Sequence, residues 1–413
     1  MNLYIFSKKS RGTVFGIGTY IRELTYFLRN SDIQVCVIHL LSDKLQILKD
    51  ETTKITQWYF PTPISNQWTF GDKEQRELYF HNVVYLLQLH IRDKKDLVFH
   101  LNYYQNENFA NKLKQVFNCK VVSVSHYSEW GAMIFDNPLR LRAILRNEHP
   151  NDVWGEDVKN AFEEERVDYM KMDCIISLSN YMLDLLCRDY ELDPTKITVI
   201  PNGLSDMIDI SVDRILLRKK WHIRSDENIL LFVGRVDEIK GGRFLIKAFH
   251  EVLGNCPDSH LIIVGDGNFD RLFKEAKSNC TKITFTGLLE REEVYELYQI
   301  ADVGVVPSLF EPFGYVPVEM MMHELPIVAT ATSGLNEVVD ESCGLKVPLI
   351  VSPDSVEIDT SLLAQKIVYL LQNPEEAKRL GKNGRKRYLE KYSSEVFGKN
   401  MIAFYKSLFQ ECK

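Results

Sequence analysis

Short, nearly uninterrupted apolar runs alternate with segments of helical period along the whole chain. Runs at 3–7, 34–40, 96–101, 120–125, 173–178 and 196–200 form one series. Runs at 229–233, 260–264, 282–286, 302–307 and 326–330 form a second. Most are rich in Val and Ile and lack the alternation of a half-exposed strand, so they read as strands buried on both faces. Between them, 18–29, 242–253 and 290–300 repeat apolar residues at helical spacing. This order predicts an α/β fold with parallel sheets covered by helices on both sides.

About eleven strands exceed what one twisted open sheet usually holds, so two Rossmann-like domains are expected. The Pro201-Asn202-Gly203 turn and the polar stretch after it mark the boundary. The expected domains are 1–204 and 205–392. A C-terminal helix at 393–413 is free to cross back to the first domain. Two such domains facing each other enclose a cleft, with ligands beyond the carboxyl ends of the strands.

Composition alters this picture little. The chain has 413 residues, 45% of them hydrophobic and 26% charged. That is an ordinary globular mixture, not a disordered or collagen-like one. A formal charge of −7 without a basic block argues against nucleic-acid binding. No run approaches the roughly 20 apolar residues of a membrane span, and the N-terminus does not read as a signal peptide. The eight cysteines are scattered without metal-ligand spacing, which fits reduced thiols in a cytoplasmic protein.

Three loops carry candidate chemistry. The first, around Gly12, Gly16 and Gly18, follows a strand and opens a helix, where N–H groups attract anions. Alone it equally suits a dehydrogenase or an ordinary turn. The acidic residue expected after a dinucleotide-binding second strand is missing at His39-Leu40-Leu41. The second loop, Gly234-Arg235-Val236-Asp237-Glu238-Ile239-Lys240-Gly241-Gly242, places a guanidinium and an ammonium beside a helix start. That pair suits a diphosphate, the alternative being a solvated charged turn. The third runs from Pro307 to Glu319. Pro317 is expected at the first helical position, leaving the N–H groups of Gly314, Tyr315 and Val316 ahead of the helix for a phosphate. Glu319 is expected in the first helical turn. Glu311 and Glu319 suit ligand hydroxyls, or else are surface glutamates around a capped helix.

These segments resemble the retaining, nucleotide-sugar-dependent glycosyltransferases of family 4, which have the GT-B fold. The resemblance spans most of the chain through GIGTYIREL, VVSVSH, CIISLSNYM, ITVIPNG, LLFVGRVDEIKGG, LIIVGDG, ITFTG, ADVGVVPSLFEPFGYVPVE and LPIVATATSGLNEVV. It implies that Arg235 and Lys240 bind the donor diphosphate, Glu319 the ribose and Glu311 the donor sugar. Gly234, Gly314, Tyr315 and Val316 would line the donor site, with Gly16 and Gly18 bringing the first loop against the diphosphate. His126 matches a histidine that contacts the donor sugar; at a strand end, by itself, it reads as a structural residue. Arg235, Lys240, Glu311 and His126 are thus the implied catalytic set. Two positions depart from the pattern: Glu324 and Ser333 stand where the family often has glycine.

The resemblance further implies transfer from a nucleoside-diphosphate sugar as co-substrate, a UDP-sugar by family frequency, with retention. No cofactor is expected, and no metal, since an Asp-x-Asp motif at a strand end is missing. A non-catalytic sugar-nucleotide-binding subunit and an epimerase are the alternatives. The resemblance also implies that 1–204 is the acceptor side and 205–392 the donor side, and it leaves the acceptor open among a saccharide, a lipid-linked sugar, a protein and a small molecule. Aromatic residues around Trp58, Tyr59, Phe60, Trp68, Tyr103 and Tyr104 and an insertion-like stretch at 127–168 stand out on that side. The basic run from Leu139 to Arg146 reads as a solvated helix face in preference to a membrane contact.

Overall fold

The computed structural model describes residues 1–8, 16–51, 55–62, 73–102, 108–148, 150–208 and 213–410. Arg11 to Phe15, Trp68, Tyr103 and Tyr104, singled out above, lie outside the described residues. The chain divides into two compact units. The first comprises Met1–Ser128, Asn160–Ser205 and Ser394–Lys413, and the second Glu129–Lys159 and Asp206–Ser393.

The first unit is built on strands β1 (Asn2–Lys8), β2 (Gln34–Ser42), β3 (Leu48–Asp50), β4 (Thr56–Pro61), β5 (Leu97–Leu101), β6 (Cys119–Ser125), β7 (Cys174–Ser177) and β8 (Ile197–Val199). They lie in the order β3-β4-β2-β1-β5-β6-β7-β8. Every pairing is parallel except β3 with β4. The central strands are almost wholly apolar and buried: Leu3, Ile5, Val98 and Phe99 are sealed from solvent, as two covered faces require.

The second unit carries β9 (Asn228–Val233), β10 (Ser259–Val264), β11 (Ile283–Gly287), β12 (Val303–Val306), β13 (Ile327–Ala331), β14 (Gly344–Val351) and β15 (Val356–Ile358). Their order is β11-β10-β9-β12-β13-β14-β15, parallel but for the last pair. Both sheets reverse direction beside their first strand. The order switches between β1 and β5 in one unit and between β9 and β12 in the other. Loops leaving the two strands at such a point diverge, and the crevice they leave is where doubly wound sheets hold ligands.

The division differs from the expected 1–204 and 205–392 in one segment. Glu129–Lys159 belongs to the second unit although it lies between β6 and β7 of the first. The physical reason is its packing. Phe135 rests on the apolar core of the second unit, Asn137 Nδ2 donates to the Ser352 carbonyl at 2.7 Å, and Ser333 Oγ donates to Asp136 Oδ2 at 2.7 Å. At the other end, the helix Ser394–Ser407 lies in the first unit, where Tyr405 and the buried His100 ring share a 2.9 Å hydrogen bond.

Candidate donor site

In the second unit, the loop after β9 and the loop after β12 flank the switch point, and their backbones are locked together. Asp237 caps the short 3-10 turn Glu238–Lys240 through the Lys240 N–H. Gly241 then takes φ 68°, which favours glycine. A Cβ there would lie 1.8 Å from the Pro307 carbonyl oxygen, so only a residue without a side chain lets the two loops meet. The Leu309 N–H donates to the Ile239 carbonyl at 2.7 Å and completes the join.

This join sets two charged side chains against each other. Lys240 Nζ pairs with Glu311 Oε2, both largely withdrawn from solvent. The buried Ser308 hydroxyl lies 3.4 Å from the same carboxylate oxygen. Glu311 is also held by its backbone, whose carbonyl accepts from the Leu335 N–H at 3.1 Å. Thr332, next to the Asp136–Ser333 contact, donates its hydroxyl to the Leu309 carbonyl at 2.8 Å. The Glu311 loop is therefore fixed from both sides.

The helix after it begins earlier than expected. It spans Tyr315–Met322, so Pro317 is its third residue and not its first, and Glu319 its fifth. Gly314 precedes it at φ 95°. Proline is still tolerated there, because the first-turn N–H groups have no intrahelical carbonyl to meet. Tyr315 and Val316 lie within that first turn, and Gly314 packs against Glu311, whose Cγ would lie 3.1 Å from a Cβ there. One turn deeper, Glu319 Oε2 accepts the Tyr298 hydroxyl at 2.9 Å. Burial, and then the Glu319 charge, hold that phenol protonated far above its ordinary range.

Among the expected residues, the structure thus joins Lys240 directly to Glu311 and sets Gly314 against Glu311, with Tyr315 and Val316 opening the helix that follows. Arg235, after Gly234, turns to Asp237 of its own loop at 3.0 Å, where both side chains are partly exposed. Glu319 faces Tyr298. The remaining members belong to the first unit. Gly16 and Gly18 form the first turn of the helix Gly16–Leu28. His126 follows β6, with Nε2 at 3.0 Å from Asn102 Oδ1. Asn102 donates its own Nδ2 to the Phe6 carbonyl at 2.9 Å. Oδ1 must then accept, so His126 carries its proton on Nε2 and presents Nδ1 as an acceptor. Burial, with His100 adding to it, lowers the His126 pKa to about 3, so the ring is neutral at physiological pH.

Sequence reading gave no role to Ser308, Tyr298 or Asp237, and took Gly241 only as a flanking glycine of its loop. Only Gly241 carried a signal, as the glycine between Lys240 and a helix. Tyr298 lies on another helix, and no spacing relates it to Glu319.

Known sequence families match this arrangement on both units. The family described as "Glycosyl transferases group 1" matches residues 213–387, and "Glycosyltransferase Family 4" matches residues 14–206. The chain belongs to these glycosyltransferases. Relatives of the glycosyltransferase include an uncharacterised glycosyltransferase of Methanocaldococcus jannaschii, 26% identical over 62% of this chain and 65% of its own. The match thus spans a little under two thirds of that relative. Among solved structures, sucrose-phosphate synthase of Thermosynechococcus elongatus superposes with a TM-score of 0.77 at 24% identity over 99% of both chains. HepE of Anabaena, in complex with UDP-glucose, gives 0.71 at 16% identity over 98% of this chain and 100% of its own. These likenesses establish the two-domain, Rossmann-like GT-B fold. Among the described residues no helix is long and apolar enough to cross a membrane.

Proposed function

We propose that this glycosyltransferase moves a sugar from a nucleoside-diphosphate sugar, a UDP-sugar by preference, to an acceptor hydroxyl with retention at the anomeric carbon. The observation that carries this reading is the Lys240–Glu311 pair at the switch point, beside the first turn of Tyr315–Met322. The complex of HepE with UDP-glucose supports the uridine choice.

The chemistry asks for what that site offers. The bond from the anomeric carbon to the diphosphate oxygen breaks, and negative charge grows on the leaving group. Lys240, Arg235 and the helix-start N–H groups stabilise it as fixed positive charge and dipole. Glu311 engages hydroxyls of the donor sugar and Glu319 those of the ribose. Acceptance of the Tyr298 hydroxyl already presets Glu319 as an acceptor. The acceptor oxygen bonds to the anomeric carbon on the face the diphosphate leaves, and its proton passes to a donor phosphate oxygen. Such a step needs no strong protein base, in keeping with a neutral His126 whose Nδ1 accepts from a sugar hydroxyl. Two cations take the place of a divalent ion, so turnover survives chelation.

A panel of sugar nucleotides screened by thermal stabilisation tests the reading, since a ligand bound to the native state raises the melting temperature. UDP and one UDP-sugar should stabilise the protein. Lys240→Ala should weaken that binding roughly 10- to 100-fold, the range of a charge-assisted contact. No stabilisation by any sugar nucleotide would refute the reading.

A further inference from the structure

We propose that a groove on the first unit, between the helix Gly16–Leu28 and the open face of β2 and β4, is the acceptor subsite and takes an anionic saccharide. The inference rests on the transferase reading above and names the substrate class for it.

The groove exists because of an exception in the fold. Parallel neighbours usually need a crossover helix, and that helix covers the sheet. Between β2 and β4, however, the described residues hold only the short strand β3, paired antiparallel to β4. One face of the β2–β4 pair is covered: Trp58 and Phe60 are buried there, and the Trp58 ring meets His90 of the helix Lys73–His90. The other face stays half-exposed. It presents His39, Gln57 and Tyr59 beside the helix Gly16–Leu28, around a cavity of about 770 Å³. That volume suits a small-molecule ligand. The cavity also reaches Ser7 and Ser42, at the carboxyl ends of β1 and β2, the edge at which doubly wound sheets bind ligands.

Its floor is built for hydroxyl groups. His39 and Tyr59 are cross-strand partners whose rings stack at 4.5 Å and 11°. Gln57 Oε1 meets His39 Nε2 at 2.9 Å and accepts the Tyr59 hydroxyl at 3.2 Å. The amide nitrogen of Gln57 and the second imidazole nitrogen give this floor a donor and a further polar site for a sugar ring. Its wall is cationic. Arg22, within the helix, and Arg29, just past its end and about two turns further on, line it, and the Arg29 guanidinium lies 4.0 Å over the Tyr26 ring. Among the described residues Arg22 reaches the Thr19 hydroxyl at 3.2 Å and Glu23 at 3.9 Å, while Glu23 accepts both the N–H and the hydroxyl of Ser205. Asp43 is the only carboxylate lining the cavity among the described residues. Two planar forks above a hydroxyl-binding floor match a sugar bearing a phosphate or a carboxylate.

The test is a methyl-NMR titration of the full chain, following the Ile21 and Ile55 methyls that line the groove. Glucose 6-phosphate, glucuronate and glucose are added in separate arms. At least one of the two anionic sugars should shift both methyls, at a Kd tenfold or more below that of glucose. The phosphate and carboxylate arms tell which anion is meant. Arg22→Ala and Arg29→Ala should each weaken that binding about tenfold, and raising NaCl should weaken it in the unaltered protein, which guards against misfolded variants. Thermal stabilisation by UDP should be unchanged in both variants. No shift from either anionic sugar, equal binding of glucose, or a dimer that occludes the groove in sedimentation would overturn the proposal. If UDP stabilises the chain while the groove stays silent, this inference fails alone. If UDP does not bind, the transferase reading itself fails.

Discussion

Glu324 and Ser333, the two departures from the glycine-rich family pattern, both have left-handed backbone, at φ 57° and φ 42°. An L-residue there costs roughly 1–2 kcal/mol relative to a right-handed position. The cost is answered differently at the two sites. Ser333 spends its hydroxyl on the buried Asp136 contact. Glu324 is exposed, and its backbone crowds Gly381, where a Cβ would lie 2.0 Å from the Glu324 carbonyl oxygen. Glu324→Gly should therefore raise stability by about 1 kcal/mol, measured as a higher urea midpoint at unchanged slope. Ser333→Gly should gain less or lose, because it also removes a buried hydrogen bond. Burial has a second consequence at the residue scale. His100 is sealed from solvent between the Tyr20 and Tyr405 hydroxyls, and burial lowers its pKa to about 3. An unfolded histidine takes up its proton near 6.5, so the unfolded chain binds more protons below that pH. Its contribution is complete above pH 6.5 and is lost as pH falls towards 3, with a slope of up to about 1.4 kcal/mol per pH unit. Urea titrations across that window should show the decline, and His100→Asn should make it shallower, with His126 keeping its own share; an unaltered acid slope in the variant would count against a buried neutral ring.

At the scale of elements, hydrophobic runs located well those strands that are buried on both faces. All eleven expected segments are strands, within one or two residues at their ends. The four that escaped are β3, β4, β14 and β15. Two of them are three-residue edges, too short for a period to register. β4 alternates buried Trp58 and Phe60 with half-exposed Gln57 and Tyr59, so its polar half disguised it as a loop. β14 contains Pro348, which argues against a strand, yet it pairs with Ala331 there. The loops were legible as chemistry but not as geometry: nothing in the spacing shows that Gly241 must touch Pro307. Gly241→Ala should part the two loops, costing at least about 2 kcal/mol through φ and steric conflict, and should abolish stabilisation by UDP-sugar. Gly254→Ala, in a helix with open space around it, should instead stabilise by about 1 kcal/mol. Melting curves of the two variants, with and without UDP-glucose, separate a general intolerance of substitution from the specific contact.

The molecule as a whole shows what a linear reading of domains leaves out. Counting strands indicated two units and placed their boundary near the Pro201-Asn202-Gly203 turn. It assigned Glu129–Lys159 by its place in sequence, whereas Phe135, Asp136 and Asn137 bind that segment to the second unit. Packing of this kind has no signature in periodicity, since the partners are some two hundred residues away. The candidate donor site was more legible because its residues cluster in two short loops of one unit. What the sequence did not reveal was their division of labour: Lys240 braced by Glu311, Arg235 by Asp237, and Glu319 by Tyr298.

The most direct measurement is a crystal structure with the donor nucleotide bound. The account predicts diphosphate oxygens within about 3 Å of Lys240 Nζ, the first turn of Tyr315–Met322 facing the same group, and ribose hydroxyls on Glu319. A nucleotide well ordered elsewhere, with Lys240 still closed on Glu311 and Glu319 still accepting the Tyr298 hydroxyl, would contradict it.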